Sequence, residues 1–260
     1  MTARLALVTG ASCGVGFALA EQFARRGYDL IVADGYDEIH TAAAALTMLG
    51  TDVQAEQVPL CSTDDAHRLH QRVVAAGRPL TAAALAPSVH DAQCMDGTLD
   101  CALELVDSSV RPTMLLARLQ AKRMALQGRG DVILAASPAH QTPGLGTAVY
   151  SATVAFLQAF ADMLRTDLGD SGVRIAALMP EANGSGRGGF TDMLSELFGR
   201  PRPDVPVHIA SQAFDALASH DGRGIAAWAT EAMTSLAGRF ILDGVKGPVR
   251  YILSPTGEAV

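Results

Sequence analysis

The chain has 260 residues, of which 49% are hydrophobic, and its mean hydropathy is +0.21. This size and composition allow a large buried core, and we expect one α/β domain over residues 1–260. The formal net charge of -7 is not accompanied by any basic run, which argues against nucleic acid and anionic membranes as partners.

Strands and helices alternate along the first 180 residues. Apolar strands are predicted over 5–9, 28–34, 52–58, 80–86, 131–137 and 173–180. Helices are predicted over 16–27, 38–50, 62–77, 100–127 and 150–172, and Ser62 or Thr63 is the N-cap of the third. Strands this apolar are typical of a parallel sheet that is covered on both faces. The pattern therefore predicts an α/β Rossmann-like doubly wound fold with ligands at the carboxyl ends of its strands.

The remaining segments carry weaker signals. Residues 181–206 are rich in Gly, Pro and Arg, and we interpret them as a flexible flap on the substrate side, with a short helix over 190–199. No apolar run reaches the roughly 18 residues of a membrane helix. The apolar run at the N-terminus is too short for a signal peptide, so we expect a cytoplasmic protein.

The cysteines lack the paired spacing of zinc sites and disulfide frameworks. We therefore expect reduced, buried thiols and no metal. The four residues are Cys13, Cys61, Cys94 and Cys101.

The stretch TGASCGVG, residues 9–16, lies between the first strand and the first helix. Glycines at Gly10, Gly14 and Gly16 allow a tight turn and a close approach of a pyrophosphate to the helix N-terminus. The same glycines could serve only to pack the helix against the strand. Both interpretations remain open from the sequence.

Asp34 ends the second predicted strand. A carboxylate there can accept hydrogen bonds from the ribose hydroxyls of an adenosine and repel a 2′-phosphate. Neither Cys13 nor Gly35 supplies the positive charge that such a phosphate needs. If a dinucleotide binds, the sequence favours NAD over NADP; the alternative is that Asp34 is an ordinary polar strand end.

Several stretches together resemble the short-chain dehydrogenase/reductase family, among them TPGLGTAVYSA, YSATVAFLQAFADMLR and GVRIAALMP. The resemblance implies that Tyr150 is the general acid/base and that Ser137, 13 residues earlier, hydrogen-bonds the same substrate oxygen. It also implies that the tyrosine helix, with Phe156 and Phe160, faces another subunit. The residues expected to line a dinucleotide are Gly10, Ser12, Cys13, Gly14, Val15, Gly16, Asp34 and Leu60.

The position four residues after Tyr150, where the family has a lysine, is Val154. An ammonium about 4 Å from a phenol contributes roughly 4 kcal/mol at an effective dielectric constant near 20, which favours the phenolate. Without it we expect Tyr150 to stay protonated at neutral pH, able to donate a hydrogen bond but poor as a base. Lys122 and Lys246, the two lysines of the chain, are not obvious replacements.

Four further positions depart from the family pattern. Ala86, Pro87 and Ser88 stand where the family has an Asn-Ala-Gly turn, and Pro59 precedes Leu60 where it has an adenine-binding aspartate. The proton-relay asparagine is replaced by Ser109, and Glu181 follows Pro180 in place of a glycine. These positions meet only in the cofactor and catalytic sites, which predicts that ordinary hydride transfer is lost or altered.

Three functions remain open from the sequence. The first is a pseudoenzyme, a catalytically impaired subunit or partner of an active paralogue, in a homo- or hetero-oligomer formed through the helix that carries Phe156 and Phe160. The second is a non-redox lyase, isomerase or cyclase in which Ser137 and Tyr150 bind a carbonyl oxygen. The third is a functional NAD-dependent oxidoreductase acting on a small ketone or alcohol.

Overall fold

A computed structural model describes residues 4–87, 98–136 and 145–178. Strands and helices alternate in these segments, as the sequence predicts. In chain order they are β1 (Arg4–Thr9), α1 (Gly14–Arg25), β2 (Tyr28–Asp34), α2 (Glu38–Thr47), β3 (Val53–Gln57), α3 (Thr63–Ala75), β4 (Leu80–Leu85), α4 (Leu99–Ser109), α5 (Arg111–Leu126), β5 (Gly130–Ala135), α6 (Leu145–Leu168) and β6 (Val173–Leu178).

The strands form one parallel sheet in the order β3-β2-β1-β4-β5-β6. The strand order reverses at β1, whose last residue, Thr9, is in register with Ala33 of β2 on one side and Leu85 of β4 on the other. This is the topological switch point at which doubly wound sheets bind ligands. The predicted Rossmann-like fold is confirmed.

Helices cover both faces of the sheet, so the strands other than the edge strand β3 are buried on both sides. One apolar cluster joins the sheet to α1 and α2 through residues such as Phe23 and Ile39. The other joins it to α3, α5 and α6 through Leu69, Leu116 and Leu164. Continuous apolar strands, such as LALVT in β1, are explained by this double coverage.

Two predicted helices differ from the structure. The helix predicted over 100–127 is divided into α4 and α5, because Pro112 has no N–H for an intrahelical bond and its ring crowds the preceding turn. Helix α6 begins at Leu145, five residues earlier than predicted. The predicted flap over 181–206 and its short helix lie outside the described residues.

The N-cap of α3 is Ser62 rather than Thr63. Its hydroxyl accepts a hydrogen bond from the N–H of Asp65 at 3.2 Å, and the Asp65 carboxylate accepts one from the N–H of Ser62 at 3.1 Å. This reciprocal capping box fixes where the helix after β3 begins.

The prediction of buried thiols is wrong for two of the cysteines. Cys13 and Cys61 are free but exposed, because each lies in a turn at the carboxyl edge of the sheet and not on a packed face. Cys94 and the side chain of Cys101 lie outside the described residues.

Candidate functional site

Two glycines of the turn after β1 are required by close packing. A Cβ on Gly10 would lie 2.8 Å from the carbonyl oxygen of Ala86, and Gly10 has a positive φ of 64°. A Cβ on Gly16 would lie 2.0 Å from the carbonyl oxygen of Gly10. Both atoms belong to the backbone and cannot move aside, so Gly10 and Gly16 serve the fold whether or not a ligand binds.

Gly14 differs from these two because the space beside it is open. It has a φ of 59°, and a Cβ added there would meet no atom of the described segments within 4 Å. Helix α1 starts at Gly14 with no acidic residue in its first turn, and the side chain of the N-cap residue, Cys13, makes no capping hydrogen bond. A helix N-terminus of this kind attracts anions.

Ser12 adds a second feature that suits an anion. Its Oγ is buried and has no hydrogen-bond partner in the described part of the chain, a costly arrangement that a phosphate oxygen would relieve. Val15, by contrast, is buried in the apolar core, so its side chain packs and does not face a ligand. The residues present therefore fit the pyrophosphate of a dinucleotide, which Ser12, Cys13 and Gly14 would hold.

The carboxylates near the turn give it a negative potential. Burial raises the pKa of the Cys13 thiol above its usual value, and the carboxylates of Asp34 and Glu38 raise this pKa further. The same field opposes any phosphate close to Asp34 and Glu38 and offsets part of the attraction that the N-terminus of α1 has for an anion.

Asp34 lies at the predicted edge of the sheet, where its carboxylate is buried. Oδ2 accepts a hydrogen bond from the N–H of Ser12 at 3.1 Å, and Oδ1 accepts one from the N–H of Gly35 at 2.7 Å. The structure thus brings Asp34 to the glycine-rich turn, as the ribose-binding prediction requires, but adds backbone contacts that the sequence did not predict.

Leu60 occupies the start of the loop between β3 and α3. It has a φ of 50°, unusual for a residue with a Cβ, and its side chain is buried in the same apolar cluster as α3 and α5. The preceding Pro59 is exposed. Neither side chain can replace the hydrogen bond that a carboxylate would make to an adenine amino group.

Tyr150 lies in an apolar cluster near β5, on the opposite side of β1 from Asp34 and β2. Tyr150 is 2% exposed and Val154 is 4% exposed, and both pack with Leu105 of α4 and with Ala136, which follows β5. Ala136 directly precedes Ser137, which lies outside the described residues. Val154 and Tyr150, four residues apart on α6, thus belong to one apolar cluster.

Ser109 is fully buried at the end of α4, one helical turn after Leu105. Among the residues that the structure describes, none forms a hydrogen bond with its Oγ. Because Leu105 packs against Tyr150, residues on this face of α4 lie on the side of the tyrosine cluster. The absence of a partner could not be foreseen from the sequence.

We expect Ser109→Ala to raise the free energy of unfolding by about 1 kcal/mol, because it removes a buried hydroxyl without a partner. Thr9→Val is the matched control, since the Thr9 hydroxyl is also buried but donates to the carbonyl oxygen of Ala86 at 3.0 Å. The free energy of unfolding of Thr9→Val should fall by about 1 kcal/mol. Urea denaturation of both variants measures the difference, and a destabilised Ser109→Ala would contradict the prediction.

The exposed side of α6 carries the aromatic pair named from the sequence. The rings of Phe156 and Phe160 are stacked, with centroids 6.3 Å apart and planes 5° apart. Phe156 is exposed and Phe160 is half-buried. An exposed aromatic side chain of this kind is typical of residues that contact another subunit.

The sheet order and the glycine-rich turn at its switch point define a doubly wound α/β protein of the dinucleotide-binding class. A family model described as "short chain dehydrogenase" matches residues 4–186. The chain belongs to the short-chain dehydrogenase/reductase family. Among the described residues, no helix has the length and apolar character that crossing a membrane requires.

Individual relatives and solved structures agree with this family. The chain is 31% identical over 184 residues to 1-deoxy-11-beta-hydroxypentalenate dehydrogenase of Streptomyces exfoliatus, covering 68% of this chain and 66% of the relative. A metagenomic short-chain oxidoreductase in complex with NADP has a TM-score of 0.65 at 20% identity, and the match covers 85% of this chain and 92% of that one. NAD+-bound xylitol dehydrogenase has a TM-score of 0.59 at 20% identity, and the match covers 68% of this chain and 70% of that one. The chain spans about two thirds of the length of the curated relatives it matches.

Proposed function

We propose that ordinary NAD(P)-dependent hydride transfer is lost or strongly reduced in this protein, and that it acts as a catalytically impaired subunit or partner of an active relative. The observation that carries the proposal is the burial of Val154 beside Tyr150 in one apolar cluster. A valine at this position cannot supply the ammonium that would favour the phenolate form of a tyrosine. Tyr150 can still donate a hydrogen bond to a carbonyl oxygen.

The glycine-rich turn supports retention of a dinucleotide, with NAD preferred over NADP. A nicotinamide dinucleotide, when bound, supplies hydride chemistry at its nicotinamide ring. The residues of this chain would hold its pyrophosphate through Ser12, Cys13 and Gly14, and the carboxylates of Asp34 and Glu38 would oppose a 2′-phosphate. Binding without turnover is the combination that we expect.

The partner surface in this proposal is the exposed side of α6 around Phe156 and Phe160. Helix α6 also has Met163 exposed, so apolar side chains continue along this side. A related subunit with a similar helix is the partner that we expect, since the apolar surface would then be buried on both chains.

The decisive experiment compares the unmodified protein with Tyr150→Phe for NADH and NADPH oxidation on a panel of small ketones, and for the reverse reaction on alcohols. We expect equal, background rates for both proteins. Activity that is present in the unmodified protein and abolished by Tyr150→Phe would contradict the proposal and establish an ordinary oxidoreductase. A carbonyl ligand that is converted without nicotinamide oxidation would instead indicate the non-redox alternative.

A further inference from the structure

The carboxylate of Asp34 connects two turns of the candidate site. It accepts hydrogen bonds from the backbone N–H groups of Ser12, at 3.1 Å, and Gly35, at 2.7 Å. Ser12 belongs to the glycine-rich turn after β1, whereas Gly35 belongs to the turn after the neighbouring strand, β2. One side chain therefore links turns that are separated by 22 residues in the sequence.

The backbone of Asp34 makes a third connection at the same edge of the sheet. Its carbonyl oxygen accepts a hydrogen bond from the N–H of Val58, at 2.7 Å, where β3 ends. The side chain of Gln57 donates to Oδ1 of Asp37 at 2.6 Å and ties the turn after β2 to β3 once more. The turns after three adjacent strands thus meet at Asp34.

The burial of Asp34 suits a role within the protein itself. The residue is 3% exposed, and a buried carboxylate is tolerated only where hydrogen-bond donors compensate for the lost water. The N–H groups of Ser12 and Gly35 are such donors, and hydrogen bonds to an ionised acceptor are stronger than neutral ones.

We propose that Asp34 is a positioning residue that holds the glycine-rich turn in its ligand-ready shape before any dinucleotide binds. The turn presents its anion-binding features on Ser12 and Gly14, and the hydrogen bond to Asp34 fixes the peptide between Ala11 and Ser12. Removal of this acceptor loosens the turn in the ligand-free protein. The inference deepens the dinucleotide part of the proposed function, yet its principal readout needs no ligand.

The test is backbone amide hydrogen exchange at Ser12, measured by NMR on the ligand-free full chain. In Asp34→Ala we expect exchange at Ser12 to accelerate about tenfold or more relative to the amide of Val32 in β2, because a hydrogen bond to a charged acceptor is lost. Asp34→Asn offers one acceptor oxygen to the two N–H groups that the carboxylate serves, so we expect protection at Ser12 between that of the unmodified protein and that of Asp34→Ala. Asp37→Ala, which removes a neighbouring carboxylate that contacts Gln57, should leave exchange at Ser12 unchanged.

Two outcomes would overturn the role assigned to Asp34. These are slow exchange at Ser12 in Asp34→Ala and equal acceleration of Ser12 and Val32 in that variant. Calorimetric titration of the unmodified protein with NAD is a separate measurement: a failure to bind contradicts the dinucleotide part of the proposed function, while the exchange data alone decide the role of Asp34.

Discussion

Val154→Lys lowers the free energy of unfolding by about 3 kcal/mol at pH 7, because it places an ammonium in an apolar cluster. Val154 is 4% exposed, and the described residues that it packs with are Tyr150, Leu105, Ala136 and Val149. No acidic side chain is among these described neighbours, so the ammonium of a lysine would gain no ion pair from them. Urea denaturation monitored by circular dichroism measures the loss.

The same variant should become more stable as the pH rises. Burial lowers the pKa of a lysine below its value of about 10.4 in the unfolded chain. Between these two pKa values the unfolded state binds more protons than the native state, so the free energy of unfolding increases with pH. The destabilisation at pH 7 should accordingly shrink towards pH 10.

Ala155→Lys is the matched control for this prediction. Ala155 is the next residue of α6 but is exposed, so a lysine there should change the free energy of unfolding by less than about 0.5 kcal/mol at either pH. If Val154→Lys proved as stable as Ala155→Lys at pH 7, the ammonium would have found an acceptor in the cluster. The proposed loss of hydride transfer would then be open to reversal by this single substitution.

Gly16→Ala should lower the free energy of unfolding by about 3 kcal/mol, because its new Cβ would lie 2.0 Å from the carbonyl oxygen of Gly10. The backbone at Gly10 cannot shift away from the new Cβ, since Gly10 is itself packed against Ala86. Helix α1 would have to move away from β1, and the packing of Phe23 beneath it would be disturbed.

Gly14→Ala is the corresponding control in the same turn. The new Cβ meets open space, so only the positive φ of 59° opposes it, at a cost of about 1 kcal/mol. Urea denaturation of both variants measures the contrast. If Gly16→Ala and Gly14→Ala lowered the free energy of unfolding equally, backbone conformation and not close packing would explain why this turn has glycines.

Most elements near the glycine-rich turn could be predicted from the sequence because their signals are local. The strand YDLIVAD is predicted over the same residues as β2, and Gly27, with a φ of 73°, ends the first helix as expected. The division of the helix over 100–127 was missed although Pro112 was visible. A proline near the start of a second helix and a proline within one long helix look alike in an apolar pattern.

The sequence by itself determined the α/β class, the family and the pairing of Tyr150 with Val154, since these depend on periodicity and short spacings along the chain. Only the tertiary structure decided what the individual side chains do. The contact between Gly10 and Ala86, and the hydrogen bond from Ser12 to Asp34, join residues from different strands of the sheet. Such contacts depend on how neighbouring strands align at their carboxyl ends, which no local pattern specifies. In the fold, Asp34, which the sequence predicts to bind a ribose, also accepts a hydrogen bond from the backbone of the glycine-rich turn.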